Sequence, residues 1–238
     1  MCEHYVARAA EPFRIDELWP FTERLERYGL AGFGWGAAWL RADGRLGSHR
    51  ETRSFCDDAV GSARVGAQET TSLLVHLRRP SRLSTLQLPD TQPFDDPAGR
   101  FSFSHNGEFQ EWRQTRAAYQ QQGRIHGRAD TEVAARWLED AWATGRPINL
   151  LPALHDRFGG QANLAVIAVD GTTVHYAGNT ENPVFSFRLG RIGVVSTGIY
   201  SLDRSLFRFV ATGATDRRLV RQPNSIELDR NGIPFAAS

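Results

Sequence analysis

The first residue able to do covalent chemistry is a cysteine at position 2, in a chain that opens Met1-Cys2-Glu3-His4. The thiolate is the reactive form of cysteine, and a free thiol with a pKa near ~8.5 is only partly ionised at neutral pH. Removal of Met1 would leave a thiol and a free α-amine on one residue, and such an amine can act as the general base. The alternative is a cysteine without a role, in an ordinary first strand.

Three later segments supply other requirements for attack on a carbonyl. They are His76-Leu77-Arg78, His105-Asn106-Gly107 and Asp130-Thr131-Glu132. Arg78 ends an apolar run, and its guanidinium is a planar fork of donors suited to a carboxylate. It is therefore a candidate ligand for the carboxylate of an amino acid. The alternative is a surface arginine in a basic cluster with Arg79 and Arg82.

The second and third segments each allow two interpretations. Asn106-Gly107 follows an apolar strand and is typical of a tight hairpin turn. In the functional interpretation, the Asn106 amide and the Gly107 N–H bind a developing oxyanion, and each such donor is typically worth ~10²–10³ in rate. Asp130 precedes a predicted helix, so it is either an N-cap or a carboxylate that receives the α-ammonium group of a substrate.

The predicted elements mix helices with short strands. Helices are expected at Ile15–Tyr28, Thr131–Thr144 and Leu150–Phe158, and early strands at His4–Ala9, Gly32–Leu40, Thr70–Leu77 and Arg100–Ser104. Later strands are expected at Ala162–Val169, Thr173–Ala177, Val184–Leu189, Ile192–Ser196, Leu219–Gln222 and Ser225–Asp229. Turn signals between the late strands favour hairpins. The sequence predicts an α+β fold in a single domain over residues 2–238.

Composition excludes several classes of protein. The 238 residues are 41% hydrophobic with a net charge of +1, which suits a packed core and no nucleic-acid partner. No apolar run approaches a membrane span or a signal peptide, and two cysteines fit a cytoplasmic location. All 28 basic residues are arginine, so no lysine-centred mechanism is available. The seven histidines show no metal-binding spacing, so neither a metal nor a cofactor is expected.

The order of the motifs resembles that of the class II glutamine amidotransferases, which are N-terminal nucleophile hydrolases. The matching segments are Cys2, Gly34-Trp35-Gly36, His76-Leu77-Arg78, Gln92-Pro93-Phe94, His105-Asn106-Gly107 and Asp130-Thr131-Glu132. The resemblance implies a four-layer αββα sandwich in which the terminal cysteine ends a central strand.

The resemblance also implies a role for each candidate residue. By it, Cys2 is the nucleophile with its α-amine as base, and Asn106 and Gly107 form the oxyanion hole. Arg78 binds the substrate α-carboxylate and Asp130 binds the α-amine. His105 is placed with the substrate-binding residues, as a support of the loop rather than a carrier of protons. Cys56, beside two aspartates, is taken as structural or incidental.

Three positions depart from the pattern that the resemblance implies. Glu3 stands where glycine is common, Arg79-Pro80-Ser81 replaces smaller residues, and Ser196-Thr197 lies where many relatives resemble Ser-Glu. These changes affect the expected rim of the pocket. They therefore bear on substrate preference more than on the type of reaction.

The expected function is hydrolysis of a γ-glutamyl amide, with L-glutamine as the default substrate, through a thioester on Cys2. Residues 2–238 leave no room for a synthase domain to use the ammonia. Either a separate synthetase subunit accepts it, or the protein hydrolyses a γ-glutamyl conjugate instead of free glutamine. A further alternative is a non-catalytic regulator that senses glutamine in a retained pocket.

Overall fold

The computed structural model describes residues 2–199 and 205–236, where thirteen strands form two antiparallel sheets. The first strands are β1 (Glu3–Arg14), β2 (Trp35–Leu40), β3 (Leu46–Glu51), β4 (Glu69–Leu77), β5 (Phe94–Asp95) and β6 (Phe101–Glu108). The later strands are β7 (Gln161–Ala168), β8 (Thr173–Ala177), β9 (Val184–Leu189), β10 (Ile192–Thr197), β11 (Thr215–Leu219), β12 (Asn224–Leu228) and β13 (Pro234–Ala236).

Helices cover the outer faces of both sheets. They are α1 (Trp19–Tyr28), α2 (Ala59–Gly66), α3 (Arg113–Gln121), α4 (Asp130–Ala141), α5 (Pro147–Phe158) and α6 (Ser205–Val210). Short 3-10 turns occupy Ile15–Leu18, Leu83–Thr85, Leu88–Asp90 and Trp142–Thr144. No helix in the described ranges has the length and apolarity needed to cross a membrane.

The sheets stack face to face between the two helical layers. One sheet has the order β11-β9-β10-β1-β4-β2-β3 and the other β13-β12-β8-β7-β6-β5. A buried apolar layer that includes Val6, Leu74 and Ile167 joins the two sheets. The four layers confirm the predicted α+β, αββα architecture.

Side-chain alternation explains why the central strands are apolar on both faces. In β1, Tyr5 and Ala7 belong to the core beneath α1, whereas Val6 belongs to the layer between the sheets. The same alternation places His4 and His76 between the sheets, because they are register partners in the antiparallel β1–β4 pair. Both histidines are fully buried.

The outer helices are held by apolar stripes at helical spacing. In α4, Val133, Ala134 and Leu138 are buried, and they share a core cluster with Leu154 and Phe158 of α5. Burying one large aliphatic side chain stabilises a fold by about 1.5–3 kcal/mol. This packing fixes the start of α4, where a predicted substrate-binding residue lies.

Several predicted bounds are shifted, since β1 extends to Arg14 and β2 begins only at Trp35, and two predicted elements differ more strongly from the structure. The strand expected at Leu219–Gln222 is wrong, because β11 runs from Thr215 to Leu219 and ends there. The helix expected at Ile15–Tyr28 begins as a 3-10 turn and becomes α-helical at Trp19, with proline at the start of that helix.

Candidate active site

A cavity of about 480 Å³ lies at the start of β1, and Cys2 forms part of its wall. Its lining also includes Arg78, His105, Gly107 and Asp130. These residues come from the start of β1, the end of β4, the end of β6 and the start of α4. The structure therefore brings five of the six predicted site residues to one cavity, and Asn106 contacts Cys2 directly.

Cys2 is half-buried and lies beside the segment that follows β4. The pairing of Glu3 with Leu77 places it there, and the Arg79 N–H donates to Sγ at 3.3 Å. Burial raises the pKa of the Cys2 thiol, whereas the Arg79 N–H and the Arg78 guanidinium lower it. Because burial dominates, the resting residue is a thiol, and attack on a carbonyl requires a base to remove its proton.

Asn106 and Gly107 lie in the last residues of strand β6, so the alternative of a hairpin turn is wrong. The Asn106 side-chain amide donates to the Cys2 carbonyl. Gly107 has φ +145°, and an added Cβ would lie 1.8 Å from the Gln161 carbonyl oxygen. Only glycine fits this backbone without a shift, and it leaves the cavity wall open beside the nucleophile.

Three further asparagines orient the Asn106 amide. Its Oδ1 accepts from Asn163 Nδ2 and Asn179 Nδ2, each at 3.2 Å. Asn182 belongs to the same cluster, because its backbone oxygen accepts from Asn163 Nδ2 at 2.9 Å. Sequence reasoning missed all three residues. Asn163 did carry a signal, since it is a polar residue inside the apolar run of β7.

Arg78 is buried, and one terminal nitrogen of its guanidinium is anchored by hydrogen bonds. Nη2 donates to the backbone oxygen and to Oγ1 of Thr85, which anchors the guanidinium to the following loop. Nη1 is buried without a partner in the described part of the chain, and Arg78 lines the cavity. Burial lowers the pKa of Arg78, but a guanidinium is so strong a base that the group stays protonated. A buried unpaired donor on a cation is suited to a carboxylate.

Asp130 is the first residue of α4, and the N-cap position is Ala129. Its Oδ2 accepts from the Phe109 N–H at 2.8 Å, and its Oδ1 accepts from the Thr131 N–H at 2.8 Å. The carboxylate is therefore fixed at the helix N-terminus, where the helix dipole stabilises negative charge. Half-buried in the cavity wall, it presents the charge that an α-ammonium group requires.

His105 is buried and holds strand β6 in place. Its ring stacks on Phe109 with centroids 4.0 Å apart, and Nδ1 lies 3.2 Å from Thr131 Oγ1. The Gln92 side-chain amide bonds to both backbone groups of His105. It accepts from the His105 N–H at 2.6 Å and donates to the His105 carbonyl at 3.1 Å. Burial lowers the pKa of His105, so the ring is neutral at pH 7. These contacts favour the supporting role over proton transfer.

Two carboxylates that were not predicted as site residues hold the loop before α4. Asp90 Oδ1 accepts from the backbone N–H groups of Arg128 and Ala129. Glu132 accepts from the N–H groups of His126 and Gly127, both at 2.8 Å. Together they fix the loop that leads into Asp130. Asp90 was not singled out in the sequence because its partners lie about 40 positions away.

Glu3 and Thr197, two of the positions that depart from the pattern of the resemblance, are in contact with each other. Glu3 Oε2 accepts from Thr197 Oγ1 at 2.8 Å and from Asn182 Nδ2 at 3.4 Å, and Oε1 has no partner among the described residues. Burial raises the pKa of Glu3 to about 8. The resemblance implies a carboxylate at position 197 and none at position 3. Both residues are fully buried and neither lines the cavity, so the expectation that these two departures affect the rim of the pocket is wrong.

The other sulfur and imidazole groups do not form a second site of this kind. Cys56 is exposed, and partial desolvation of the thiol and the nearby Glu26 carboxylate raise its pKa to about 12. A thiol with that pKa is a poor nucleophile at neutral pH. Within residues 2–199 and 205–236, no three His, Cys, Asp or Glu side chains are arranged to hold a metal ion.

Comparison with solved structures identifies the fold. A glutamine phosphoribosylpyrophosphate amidotransferase from B. subtilis superposes with a TM-score of 0.74 at 16% identity, over 99% of this chain and 49% of that one. An allosteric regulatory enzyme of purine biosynthesis gives 0.74 at 15% identity, over 99% and 48%. The chain thus spans about half the length of these two enzymes.

Two shorter structures match over nearly their whole length. A glutamine aminotransferase class-II domain protein from Silicibacter pomeroyi has a TM-score of 0.58 at 16% identity, over 98% of both chains. A predicted glutamine amidotransferase from Pseudomonas aeruginosa has 0.54 at 15% identity, over 99% of this chain and 100% of that one.

The sequence itself matches no protein-family model and no curated protein. The structural likeness nevertheless defines the class of the fold. The chain has the N-terminal nucleophile hydrolase fold of class II glutamine amidotransferase domains, in a form similar both to half of a larger enzyme and to shorter amidotransferase-like chains.

Proposed function

We propose that this protein hydrolyses the γ-amide of L-glutamine or of a related γ-glutamyl amide through a thioester on Cys2. The observation that carries the proposal is a single cavity lined by the Cys2 thiol, the Arg78 guanidinium and the Asp130 carboxylate, with the Asn106 amide in contact with Cys2 behind its wall. These are the parts that acyl transfer from an amino acid amide requires.

The first step begins with removal of Met1, which frees the Cys2 α-amine. The thiol proton passes to this amine as Sγ attacks the amide carbon, and a tetrahedral intermediate forms with negative charge on oxygen. The protonated amine then gives its proton to the departing nitrogen as the C–N bond breaks. Ammonia or an amine leaves, and the glutamyl group remains on Sγ as a thioester.

The second step hydrolyses this thioester. The α-amine, again neutral, takes a proton from water as the water oxygen attacks the thioester carbon. Collapse of the second tetrahedral intermediate breaks the C–S bond, and the thiol regains its proton. The Asn106 amide and the Gly107 N–H stabilise the oxyanion in both steps, because the donors are positioned before the charge develops.

Arg78 and Asp130 hold the amino acid end of the substrate. The Arg78 guanidinium, which lines the cavity, donates to the α-carboxylate, and the Asp130 carboxylate accepts from the α-ammonium group. Such a pair recognises a zwitterion, so it selects a free glutamyl residue over one inside a peptide chain. Fixing this end aligns the γ-carbonyl with Sγ, which lowers the entropic cost of reaction.

The test combines intact mass with an electrophilic glutamine analogue such as 6-diazo-5-oxo-norleucine. We expect purified protein to lack Met1 and to gain one adduct, which peptide mapping places on Cys2. Excess L-glutamate, as the product of the reaction, should slow labelling by competing for the same residues. A protein that lacks Met1 and remains unlabelled, while it hydrolyses no γ-glutamyl amide, would contradict the proposal.

An Asn106→Ala variant tests the oxyanion hole. We expect kcat to fall by about 10²–10³ with little change in KM, because the lost donor acts on charge that exists only in the transition state. The matched control is Asn149→Ala, an exposed asparagine of α5 that does not line the cavity. Steady-state kinetics with both variants would disprove this role if Asn106→Ala raised KM and left kcat unchanged.

The proposal also covers what happens to the ammonia that is released from the γ-amide. If ammonia is delivered to a separate synthetase subunit, that subunit should co-purify in a stoichiometric complex and raise glutamine turnover. A non-catalytic glutamine sensor predicts instead that glutamine raises the melting temperature without release of ammonia. Ammonia release measured beside the thermal shift separates these functions.

A further inference from the structure

Four arginines at the cavity have no bonding partner for their guanidinium groups among the described residues. They are Arg79, Arg82, Arg113 and Arg128, and all line the cavity. Elsewhere in the described chain, ion pairs occupy Arg14, Arg41, Arg53, Arg100, Arg124, Arg136, Arg146 and Arg191. The four cavity arginines, in contrast, leave their guanidinium groups available at the place where a ligand would enter.

The four residues come from separate parts of the wall. Arg79 and Arg82 lie in the segment after β4, which also contacts Sγ of Cys2 and carries Arg78. Arg113 begins α3, and Arg128 lies two positions before Asp130. Arg82, Arg113 and Arg128 are exposed, so a substrate can reach their guanidinium groups.

The charge balance remains positive after the glutamyl group is accounted for. Arg78 and Asp130 match the opposite charges of its α-carboxylate and α-ammonium groups. Apart from these two, the charged lining consists of four arginines and the carboxylates of Glu108 and Glu181. A positive excess in a concave wall with a low dielectric attracts anions.

The cavity is also large for a free amino acid. Its volume of about 480 Å³ lies within the roughly 300–1,000 Å³ typical of sites for drug-sized ligands. Trp112 adds an aromatic surface to the wall, and the Arg113 guanidinium lies 5.1 Å from its ring centroid. The charged and aromatic lining outside the glutamyl site therefore consists of four arginines, two glutamates and one tryptophan ring.

We propose, on the basis of the proposed function, that the preferred substrates are γ-glutamyl conjugates whose leaving amine carries a carboxylate or a similar anionic group, bound by these four arginines. Water and the conjugate then give glutamate and the anionic amine. The C–N bond breaks and the amine takes the proton, as in the hydrolysis of glutamine.

The test uses two substrates that differ by one charge. γ-Glutamylglycine and γ-glutamylglycinamide have almost the same size, and only the first has a negative leaving amine. We expect kcat/KM to favour γ-glutamylglycine by about 10- to 100-fold, the range that one charge-assisted hydrogen bond supports. Added salt should reduce the ratio, because it screens exposed charges.

Variants then locate the effect. Arg82→Gln and Arg113→Gln each remove an exposed guanidinium without a bonded partner, and both should bring the ratio of the two kcat/KM values toward one. The control is Arg230→Gln, an exposed arginine that does not line the cavity, which should keep the parent ratio.

The outcomes separate this inference from the function on which it rests. Equal turnover of the two substrates, or faster turnover of the amide, would overturn the inference while Cys2 labelling and hydrolysis leave the proposed function standing. If both arginine variants kept the parent ratio of kcat/KM values, the assignment of anion binding to the cavity arginines would be overturned. If neither substrate nor glutamine is hydrolysed and Cys2 stays unlabelled, the proposed function itself fails.

Discussion

A Cys2→Ala variant is expected to release ammonia or amine from its substrate at less than about one ten-thousandth of the parent rate. Loss of a covalent nucleophile removes the reaction path itself, and such losses reach about 10⁶ in kcat in well-studied hydrolases. Binding should persist, because Arg78 and Asp130 remain in place. Isothermal titration with glutamine or the preferred conjugate, beside an assay of the released amine, measures both effects.

The chain offers a matched control in its only other cysteine. Cys56 is exposed and lies outside the cavity, so Cys56→Ala should retain the parent kinetics and the parent labelling. A Cys2→Ser variant adds a second comparison, since it keeps the size of the side chain but supplies a weaker nucleophile. If Cys2→Ala hydrolysed glutamine at the parent rate, thioester catalysis would be excluded.

The protein should lose stability in mild acid because of three histidines buried between the sheets. The ring centroids of His4 and His175 lie 4.8 Å apart, and those of His4 and His76 lie 6.4 Å apart. His4 Nδ1 contacts Ser104 Oγ at 2.8 Å, while both nitrogens of His76 and of His175 lack partners among the described residues. A protonated ring at this place would be a buried charge without compensation.

Burial lowers the pKa of His76 and of His175 to about 3, and lowers that of His4 well below its ordinary value near 6.5. In the unfolded chain all three take up protons as the pH falls through 6.5. The folded state does not, so its stability is full above pH 6.5 and falls below it. The neighbouring His105 ring also lowers the pKa of His4 and of His76, and the Arg78 cation lowers that of His76.

Glu3 changes the pH dependence of stability in the opposite direction over part of this pH range. With a folded pKa of about 8 against 4.5 unfolded, it binds one extra proton in the folded state between these values. The stability that Glu3 contributes is present below pH 4.5 and is lost as the pH rises through 8. Near pH 5 the three histidines and Glu3 together give a net difference of two protons, or about 3 kcal/mol of unfolding free energy per pH unit, and the lowered pKa values of His105 and His49 act in the same direction as those of the three histidines.

Urea unfolding at pH 7, 6 and 5 measures this slope. His175→Leu replaces one unpaired ring with an apolar side chain, and should reduce the slope by about 1.4 kcal/mol per pH unit, whatever it does to stability at pH 7. His126→Gln changes an exposed histidine and should leave the slope as it is. An unfolding free energy of the parent that is constant from pH 7 to 5 would disprove this account.

Sequence periodicity predicted the central helices and strands because their burial is local and regular. α4 and α5 carry apolar residues at helical spacing, and the strands of the second half are separated by turn residues. The missed elements lack such a pattern. Strand β3 is only half-buried, and α3 buries a single side chain, Tyr119, so neither shows an apolar face in the sequence.

The sequence by itself determined the chemical inventory of the site: the thiol at position 2, the donors Asn106 and Gly107, the cation Arg78 and the carboxylate of Asp130. These are properties of residue types and of their order along the chain. The four-layer fold that the motif order implied is confirmed, whereas the catalytic roles stay predictions.

Only the tertiary structure decided what surrounds those groups. The contact between Glu3 and Thr197 joins residues 194 positions apart, and Ser104 lies 100 positions from its partner His4. Such long-range contacts decide which groups are buried and which are hydrogen-bonded. They also decide that Arg79, Arg82, Arg113 and Arg128 have no bonded partner at the cavity. Periodicity along the chain carries no information about them, because the register and stacking of two sheets set which residues meet.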